Sequence, residues 1–217
     1  MMVFNDDSIA THGRRGTIRR QVPVGLILLV LLTGLPGRRT LCYGDTSTKP
    51  APPQRICSVT LATDEMLTAL VEPERVVAVT SLVDDAGISN LSGRYPTSIP
   101  RIHADLEKII ALHPDLVCVA SYNSADFLEI LRKSNLPVFR HEDIHTFVGV
   151  EQGMIALGEQ VGALERAKAV VAEMERRLSK LRAELASSTA RPRVLFWSGG
   201  WIAGRNTTIG EMIERAG

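Results

Sequence analysis

The chain has 217 residues, a length that suits one large domain or two small ones. It is 45% hydrophobic and 23% charged, which is an ordinary balance for a globular protein, and 25 basic against 24 acidic residues leave a net charge of +1. A nucleic-acid-binding protein would need a clustered basic excess, and the only basic cluster falls within the first twenty residues.

That basic cluster has the position of a signal for export. Arg14, Arg15, Arg19 and Arg20 precede an apolar run over residues 22–35, which is shorter than the ~20 residues that cross a bilayer as a helix. A charged segment followed by a short apolar core is typical of a secretory signal. We therefore assign residues 1–44 to a signal peptide and expect the chain in the periplasm or cell envelope; an uncleaved anchor is the alternative.

Cys42 raises the question of a lipid anchor. The residues before it, Arg39-Thr40-Leu41, lack the small residue that precedes the cysteine in a lipoprotein signal. The sequence therefore favours an exported chain without a lipid anchor. Residues 45–54 are polar and rich in proline, and this composition predicts an extended linker.

Strands alternate with helices in the next hundred residues, which we assign to an N-terminal α/β lobe over residues 55–162. The predicted strands are residues 56–60, 76–80, 116–120 and 137–140. The predicted helices are residues 64–71, 105–112, 124–134 and 146–161, the last with Thr146 as its N-cap. This alternation predicts a mostly parallel sheet with flanking helices. Residues 81–102 lack periodicity, and a loop of this length is often functional.

The most regular stretch follows, and we assign residues 163–190 to one long connecting helix. Apolar residues recur at spacings of three and four: Leu164, Ala167, Val171, Met174, Leu178, Leu181 and Leu185. Such a stripe is produced either by a helix lying along a globular body or by a short coiled-coil dimer. The sequence favours the first and leaves the second open.

A new unit begins after the long helix, over residues 191–217. The apolar segment 193–197 predicts a strand, and residues 209–216 predict a helix capped by Thr207 or Thr208. One strand and one helix do not bury their own apolar faces. We interpret this segment as the start of an incomplete C-terminal α/β lobe.

Cys57 and Cys118 each lie inside an apolar predicted strand. Free cysteine packs as a small hydrophobic residue, so we expect two buried thiols. A disulfide between them stays the alternative, since an oxidising compartment would permit one.

No enzyme motif stands out in the sequence. It contains no phosphate-binding loop ending in Gly-Lys-Ser/Thr, no G-x-S-x-G and no H-E-x-x-H. His141 and His145 are four residues apart but straddle a predicted strand end and helix start, so we predict neither a metal site nor catalysis.

The segments that follow the predicted strands carry the better functional signal. Ligands of open parallel sheets bind beyond the carboxyl ends of the strands. These segments, with the loop of the last unit, supply hydroxyls, an amide and aromatic rings. The predicted ligand-binding residues are Thr60, Ala62, Thr63, Ser81, Asp84, Tyr122, Asn123, Trp197 and Trp201.

Several segments also resemble a known family in order and in motif. RICSVTLATDEMLTAL is similar to the opening strand and helix of periplasmic binding proteins of the iron-chelate and vitamin B12 class, and Glu65 occupies the usual glutamate position. DLEKIIALHPDLVCVAS is the most characteristic match. The resemblance covers about residues 55–217.

This resemblance implies two α/β lobes joined by the long helix, with the ligand held between them and no catalysis. It implies capture of an iron-siderophore, haem or cobalamin for an ABC importer, permease subunits as partners, a monomer, and no resident cofactor. A direct metal-ion receptor or a metal-assisted enzyme on a related fold is the alternative.

Three departures from the family pattern stand out. Leu82 replaces a frequent aromatic, Leu61 replaces a frequent proline, and most of the second lobe is missing from these 217 residues. Few basic residues follow the strands, which favours a bulky neutral chelate over an anionic siderophore.

Overall fold

A computed structural model describes residues 51–189 and 192–216. The predicted signal peptide, Cys42 and residues 45–50 of the predicted linker lie outside these described residues. Within them, no helix is both long and apolar enough to cross a membrane.

Five parallel strands form the central sheet, in the order β3-β2-β1-β4-β5. The strands are β1 (Ile56–Ser58), β2 (Val76–Thr80), β3 (Arg101–Ile102), β4 (Leu116–Ala120) and β5 (Val138–His141). The four predicted strands and the α/β class are confirmed. The sequence did not reveal β3, because two residues next to Pro100 form no apolar run.

Five helices flank this sheet and begin close to the predicted positions. They are α1 (Leu61–Leu70), α2 (Leu106–Ala111), α3 (Ala125–Lys133), α4 (Phe147–Gln160) and α5 (Leu164–Leu185). Thr146 caps α4 as predicted, its hydroxyl accepting from Gly149 N at 2.9 Å. Helix α1 begins three residues earlier than predicted, because Thr60 caps it by accepting from Thr63 N at 3.3 Å.

The helices cover both faces of the sheet. One core packs under α1, α4 and α5 and includes Ile56, Leu116 and Cys118; the other packs under α2 and α3 and includes Cys57 and Val117. Successive residues of a strand point to opposite faces, so the two cysteines are separated by the sheet. Both thiols are free and buried, and the alternative of a disulfide between them is therefore wrong.

Helices α4 and α5 pack at very close range. A Cβ added to Gly158 would lie 2.3 Å from the Cβ of Ala167, which is closer than two non-bonded carbons can approach. Ala167 itself is completely buried. Glycine at position 158 therefore allows the long helix to lie directly against the lobe.

The described part of the last unit differs from the prediction. Residues 193–196 form no strand; instead β6 (Trp197–Ser198) pairs antiparallel with β7 (Trp201–Ile202). Gly199 and Gly200 have φ angles of 55° and 87°, a backbone region that favours glycine, and they close a two-residue turn. The prediction of a strand over residues 193–197 was therefore wrong. The Gly-Gly turn instead pairs Trp197 and Ser198 with the two residues that follow the turn.

Helix α6 (Thr208–Ala216) lies against the start of α4. Phe147 N, at the first position of α4, donates to Glu211 Oε2 at 2.7 Å. The Thr208 hydroxyl donates to Ile144 O at 2.6 Å. These contacts link the last unit to the lobe independently of α5.

Candidate functional site

The sheet reverses its strand order between β1 and β4. From β1 the chain moves to β2 and β3 on one side, and it then returns to β4 and β5 on the other. Loops that leave neighbouring strands at such a point diverge and open a crevice beyond the carboxyl ends. The segments after β1 and β4 therefore form the centre of the candidate site.

The end of β1 carries a buried cluster of hydroxyls. Thr63 Oγ1 lies 2.6 Å from Ser58 Oγ and 2.8 Å from Thr60 Oγ1. All three residues are at least 97% buried. The hydroxyls of Thr60 and Thr63 thus hold the first turn of α1 in place, whereas Ala62 is half-buried.

Asp64 lies beside this cluster and is the buried carboxyl of the site. Its side chain is inaccessible, Oδ2 accepts from Thr80 N at 3.2 Å, and Oδ1 has no hydrogen-bond partner among the described residues. Burial raises the pKa of Asp64 from 3.8 to about 7, and the neighbouring Ser58 hydroxyl and the bond from Thr80 N offset only part of this effect. Asp64 was not among the predicted site residues, since it has the position of an ordinary acid in the first turn of a helix.

The segment after β2 is tied to β3 by an ion pair. Arg101 donates to Asp84 through Nε and Nη2, each at 2.9 Å from a carboxylate oxygen. The Arg101 guanidinium lowers the pKa of Asp84. Asp84 therefore positions this loop, and the positive charge of Arg101 is already matched.

Ser81 and His103 lie side by side, because Thr80 pairs with Ile102 in the sheet and each of these two residues is the last of its strand. Ser81 Oγ lies 3.4 Å from His103 Nδ1. Nearby in sequence, Leu82 and Ile88 are 45% and 56% exposed. This part of the edge therefore offers polar and apolar contacts together, and sequence analysis singled out neither Ile88 nor His103 as a ligand contact.

The segment after β4 presents the one ring predicted for the lobe. Tyr122 is 53% exposed. Its neighbour Asn123 is turned inward, and Asn123 Oδ1 accepts from Ala120 N at 2.9 Å. Asn123 thus shapes the loop, and Tyr122 provides its accessible surface.

The segment after β5 folds back against α4. The ring of His141 is buried, and a Cβ added to Gly153 would lie 2.2 Å from its Nε2. Asp143 accepts from the hydroxyl of Thr146 at 2.8 Å. His145 is exposed whereas His141 is buried, so these two histidines do not present a common surface.

Trp197 and Trp201 lie on the β6–β7 hairpin, where they are 66% and 81% exposed. Both rings are thus exposed, and their contact with a ligand stays a prediction. Within residues 51–189 and 192–216, no three or more His, Cys, Asp or Glu side chains form a group that could hold a metal ion.

A parallel α/β lobe whose strand order reverses between β1 and β4, followed by one long helix, has the topology that places ligands beyond the carboxyl ends of the strands. Residues 56–217 match a family described as periplasmic binding protein, and the chain belongs to this family. No curated protein matches the chain.

Solved structures of three organisms share the fold. A possible iron-binding (periplasmic solute-binding) protein of Staphylococcus epidermidis ATCC 12228 has a TM-score of 0.64 at 19% identity, covering 76% of this chain and 66% of its own. The apo periplasmic heme-binding protein RhuT of Roseiflexus sp. RS-1 has a TM-score of 0.64 at 24% identity, covering 75% and 63%. The periplasmic vitamin B12-binding protein BtuF of Vibrio cholerae has a TM-score of 0.52 at 23% identity, covering 64% and 53%.

This chain therefore spans between about half and two thirds of the length of these structures. At these identities the likeness establishes the fold.

Proposed function

We propose that this chain is an exported solute-binding protein that captures a metal chelate, such as a ferric siderophore, haem or cobalamin, and delivers it to an ABC importer. The family supports a solute-binding role and an envelope location. The permease subunits of the importer are the expected partners. The chain is proposed to act by binding, without catalysis.

The observation that carries the proposal is the surface at the carboxyl edge of the sheet. Tyr122 after β4 and Leu82 after β2 expose apolar area on either side of the segment that follows β1. Between them, the buried hydroxyl cluster makes the floor rigid. Exposed apolar area on a rigid floor is suited to a large and partly apolar ligand.

The charges of this edge favour a chelate without strong net charge. Arg101 is matched by Asp84, and Arg140 lies 3.4 Å from Glu142. An anionic ligand is usually held by arginines that keep their hydrogen-bonding capacity for it. This supports the proposal of a bulky neutral chelate over a polyanionic siderophore.

The test is a titration of the purified chain with haem, cobalamin and ferric siderophores, followed by absorbance and by tryptophan fluorescence. We expect saturable binding of one chelate class. Tyr122→Ala removes exposed ring area and is expected to weaken that binding about tenfold, as the loss of one stacking contact does.

Ile130→Ala is the matched control, because Ile130 is 50% exposed on α3 and its replacement removes apolar area away from the strand ends. This variant is expected to bind like the parent chain. Cooperative unfolding shows that the purified chain is folded. The proposal fails if such a folded chain binds none of the three chelates, or if Tyr122→Ala and Ile130→Ala weaken binding equally.

A further inference from the structure

One exposed imidazole lies at the carboxyl edge of the sheet, close to the centre of the candidate site. His103 directly follows the last residue of β3, and β3 pairs with β2. Strand β2 in turn lies next to β1, whose following segment belongs to the centre of the site. Ligands of such sheets bind beyond these strand ends. The exposed side chain of His103 is therefore placed to contact a ligand of this site.

The ring of His103 has a neighbour that orients it. Its Nδ1 lies 3.4 Å from Ser81 Oγ, within hydrogen-bonding distance. In the tautomer whose Nδ1–H donates to this hydroxyl, Nε2 carries a free lone pair. A histidine that ligates a metal is commonly oriented in this way, with its other ring nitrogen bonded to a second group.

The other histidines of residues 51–189 and 192–216 do not share this position. His141 is buried. His113 lies at the amino end of the sheet, where its carbonyl accepts from Arg55 Nε at 3.0 Å. His145 comes after β5, which forms the opposite edge of the sheet from β3. In this part of the chain, His103 is therefore the histidine that borders the β2 side of the site.

A single imidazole limits the kind of metal complex that the site can take. No three or more His, Cys, Asp or Glu side chains of the described residues form a group that could hold a metal ion, so a bare ion would lack ligands. A chelate that already surrounds its metal has no position left for a protein nitrogen. A planar macrocycle supplies four ligands and leaves an axial position open, and an imidazole nitrogen can fill it.

The residues around His103 suit the apolar face of such a macrocycle. Leu82 follows Ser81 directly and is 45% exposed, so it places apolar area beside the imidazole. Arg101 is already paired with Asp84 at 2.9 Å and adds no unmatched positive charge next to a metal. One nitrogen beside exposed apolar area matches a ligand with a metal at its centre and an apolar face.

We propose that His103 ligates the metal of the captured chelate through Nε2, and that the site takes a planar metal macrocycle with an open axial position, such as haem. This inference rests on the proposed function and narrows its ligand class. The bond forms when the Nε2 lone pair enters the open axial position, and no electron is transferred. Ser81 is a positioning residue that holds the ring through Nδ1.

Haem and metal-free protoporphyrin separate ligation from stacking, because the two share one ring system and only haem can gain from an axial ligand. We expect the purified chain to bind haem about tenfold or more tightly than protoporphyrin, with the haem absorbance spectrum of nitrogen ligation. His103→Ala is expected to bind both equally and to lose this spectrum. Equal binding of haem and protoporphyrin by the folded parent chain would overturn the proposal.

His103→Tyr tests whether this side chain itself contacts the metal. The substitution replaces the ring nitrogen by a phenol oxygen, which also ligates haem iron. We expect the haem spectrum to change from nitrogen ligation to oxygen ligation or to an open axial position. A spectrum identical to that of the parent chain would show that His103 is not the ligand.

Ser81→Ala tests the positioning role. We expect haem binding to weaken about tenfold, as on loss of a group that orients a metal ligand, whereas protoporphyrin binding stays unchanged. An equal loss for both compounds would contradict this role, because it would mean that Ser81 contacts the macrocycle directly.

His113→Asn is the matched control. It removes an exposed imidazole at the amino end of the sheet, and asparagine tolerates the φ angle of 47° at this position. This variant is expected to bind haem like the parent chain, with the same spectrum. A loss equal to that of His103→Ala would show that haem binds exposed histidines without a specific site, and would overturn the proposal. Cooperative unfolding confirms that each variant is folded.

The outcomes distinguish this inference from the proposed function. Binding of a ferric siderophore without binding of haem would overturn the metal macrocycle and leave the solute-binding role unaffected. A folded chain that binds no siderophore, haem or cobalamin would overturn both.

Discussion

Arg101 and Asp84 form a two-pronged ion pair, with Nε and Nη2 of the guanidinium each 2.9 Å from a different carboxylate oxygen. The same guanidinium also donates to the backbone carbonyls of Tyr95, Pro96 and Ile99. One side chain thus fastens the long segment between β2 and β3, which borders the candidate site. Lysine cannot reproduce these contacts, because it lacks the planar fork.

Arg101→Lys is therefore expected to loosen the segment over residues 81–99. We expect a loss of about 1 to 3 kcal/mol in the free energy of unfolding, as for the loss of several hydrogen bonds to a charged group. Denaturant unfolding measures the loss, and hydrogen exchange locates it. Arg132→Lys is the control: Arg132 makes an equivalent pair with Glu129 on exposed α3, and its replacement is expected to have little effect.

The buried carboxyl of Asp64 is expected to make stability depend on pH. Its pKa is about 7 in the folded chain against an ordinary 3.8, so the folded state binds more protons between these values. The contribution of Asp64 to stability is therefore full below about pH 4, falls as the pH rises to about 7, and is level above that. Asp64→Asn should remove this slope and stabilise the chain at pH 8 by roughly 2 to 4 kcal/mol.

Unfolding by urea at a series of pH values measures this effect. Asp126→Asn, on the exposed first turn of α3, is expected to keep the slope of the parent chain. A slope that persists in Asp64→Asn would show that another group titrates.

Gly158→Ala is expected to separate α4 from α5. The added methyl would lie 2.3 Å from the Cβ of Ala167, and relief of such an overlap in a packed core typically costs about 1 to 3 kcal/mol. Adding Ala167→Gly removes the opposing methyl. The double variant is expected to recover part of the lost stability, and a double variant with simply additive losses would disprove direct contact.

Glu211 is expected to stabilise the start of α4 from outside that helix. It accepts from Phe147 N at 2.7 Å, one of the first amides of α4, which lack partners within their own helix. Glu211→Gln removes the charge, and we expect a lower free energy of unfolding with faster exchange of the Phe147 amide. Glu214→Gln, exposed on the same helix, should leave that amide unchanged; equal exchange in both variants would contradict the contact.

The lobe could be predicted well from the sequence, because its elements are coded locally. The apolar runs indicated β1, β2, β4 and β5, and the stripe from Leu164 to Leu185 indicated α5, although the predicted range 163–190 extends five residues past its observed end. Polar caps such as Thr146 placed helix starts. Strand β3 was missed because its two residues form part of the sheet only through pairing with β2.

The sequence predicted where the candidate site lies, but it did not predict which side chains face a ligand there. Its place beyond the strand ends follows from topology, but the orientation of each side chain does not. Thr60, Thr63 and Asn123 turn inward to bond the backbone or one another, whereas Tyr122 turns outward. Burial and hydrogen bonding decide this orientation, and both depend on residues distant in sequence.

The position of Cys57 and Cys118 on opposite faces of the sheet has a consequence for how the chain matures. Two thiols that the native sheet keeps apart do not form a bond with each other, even in an oxidising environment. Burial also raises the pKa of Cys57 to about 12, which suppresses the reactive thiolate. Once folded, the lobe therefore has no need of oxidation or disulfide shuffling at these cysteines, and its stability is expected to be the same under reducing and oxidising conditions.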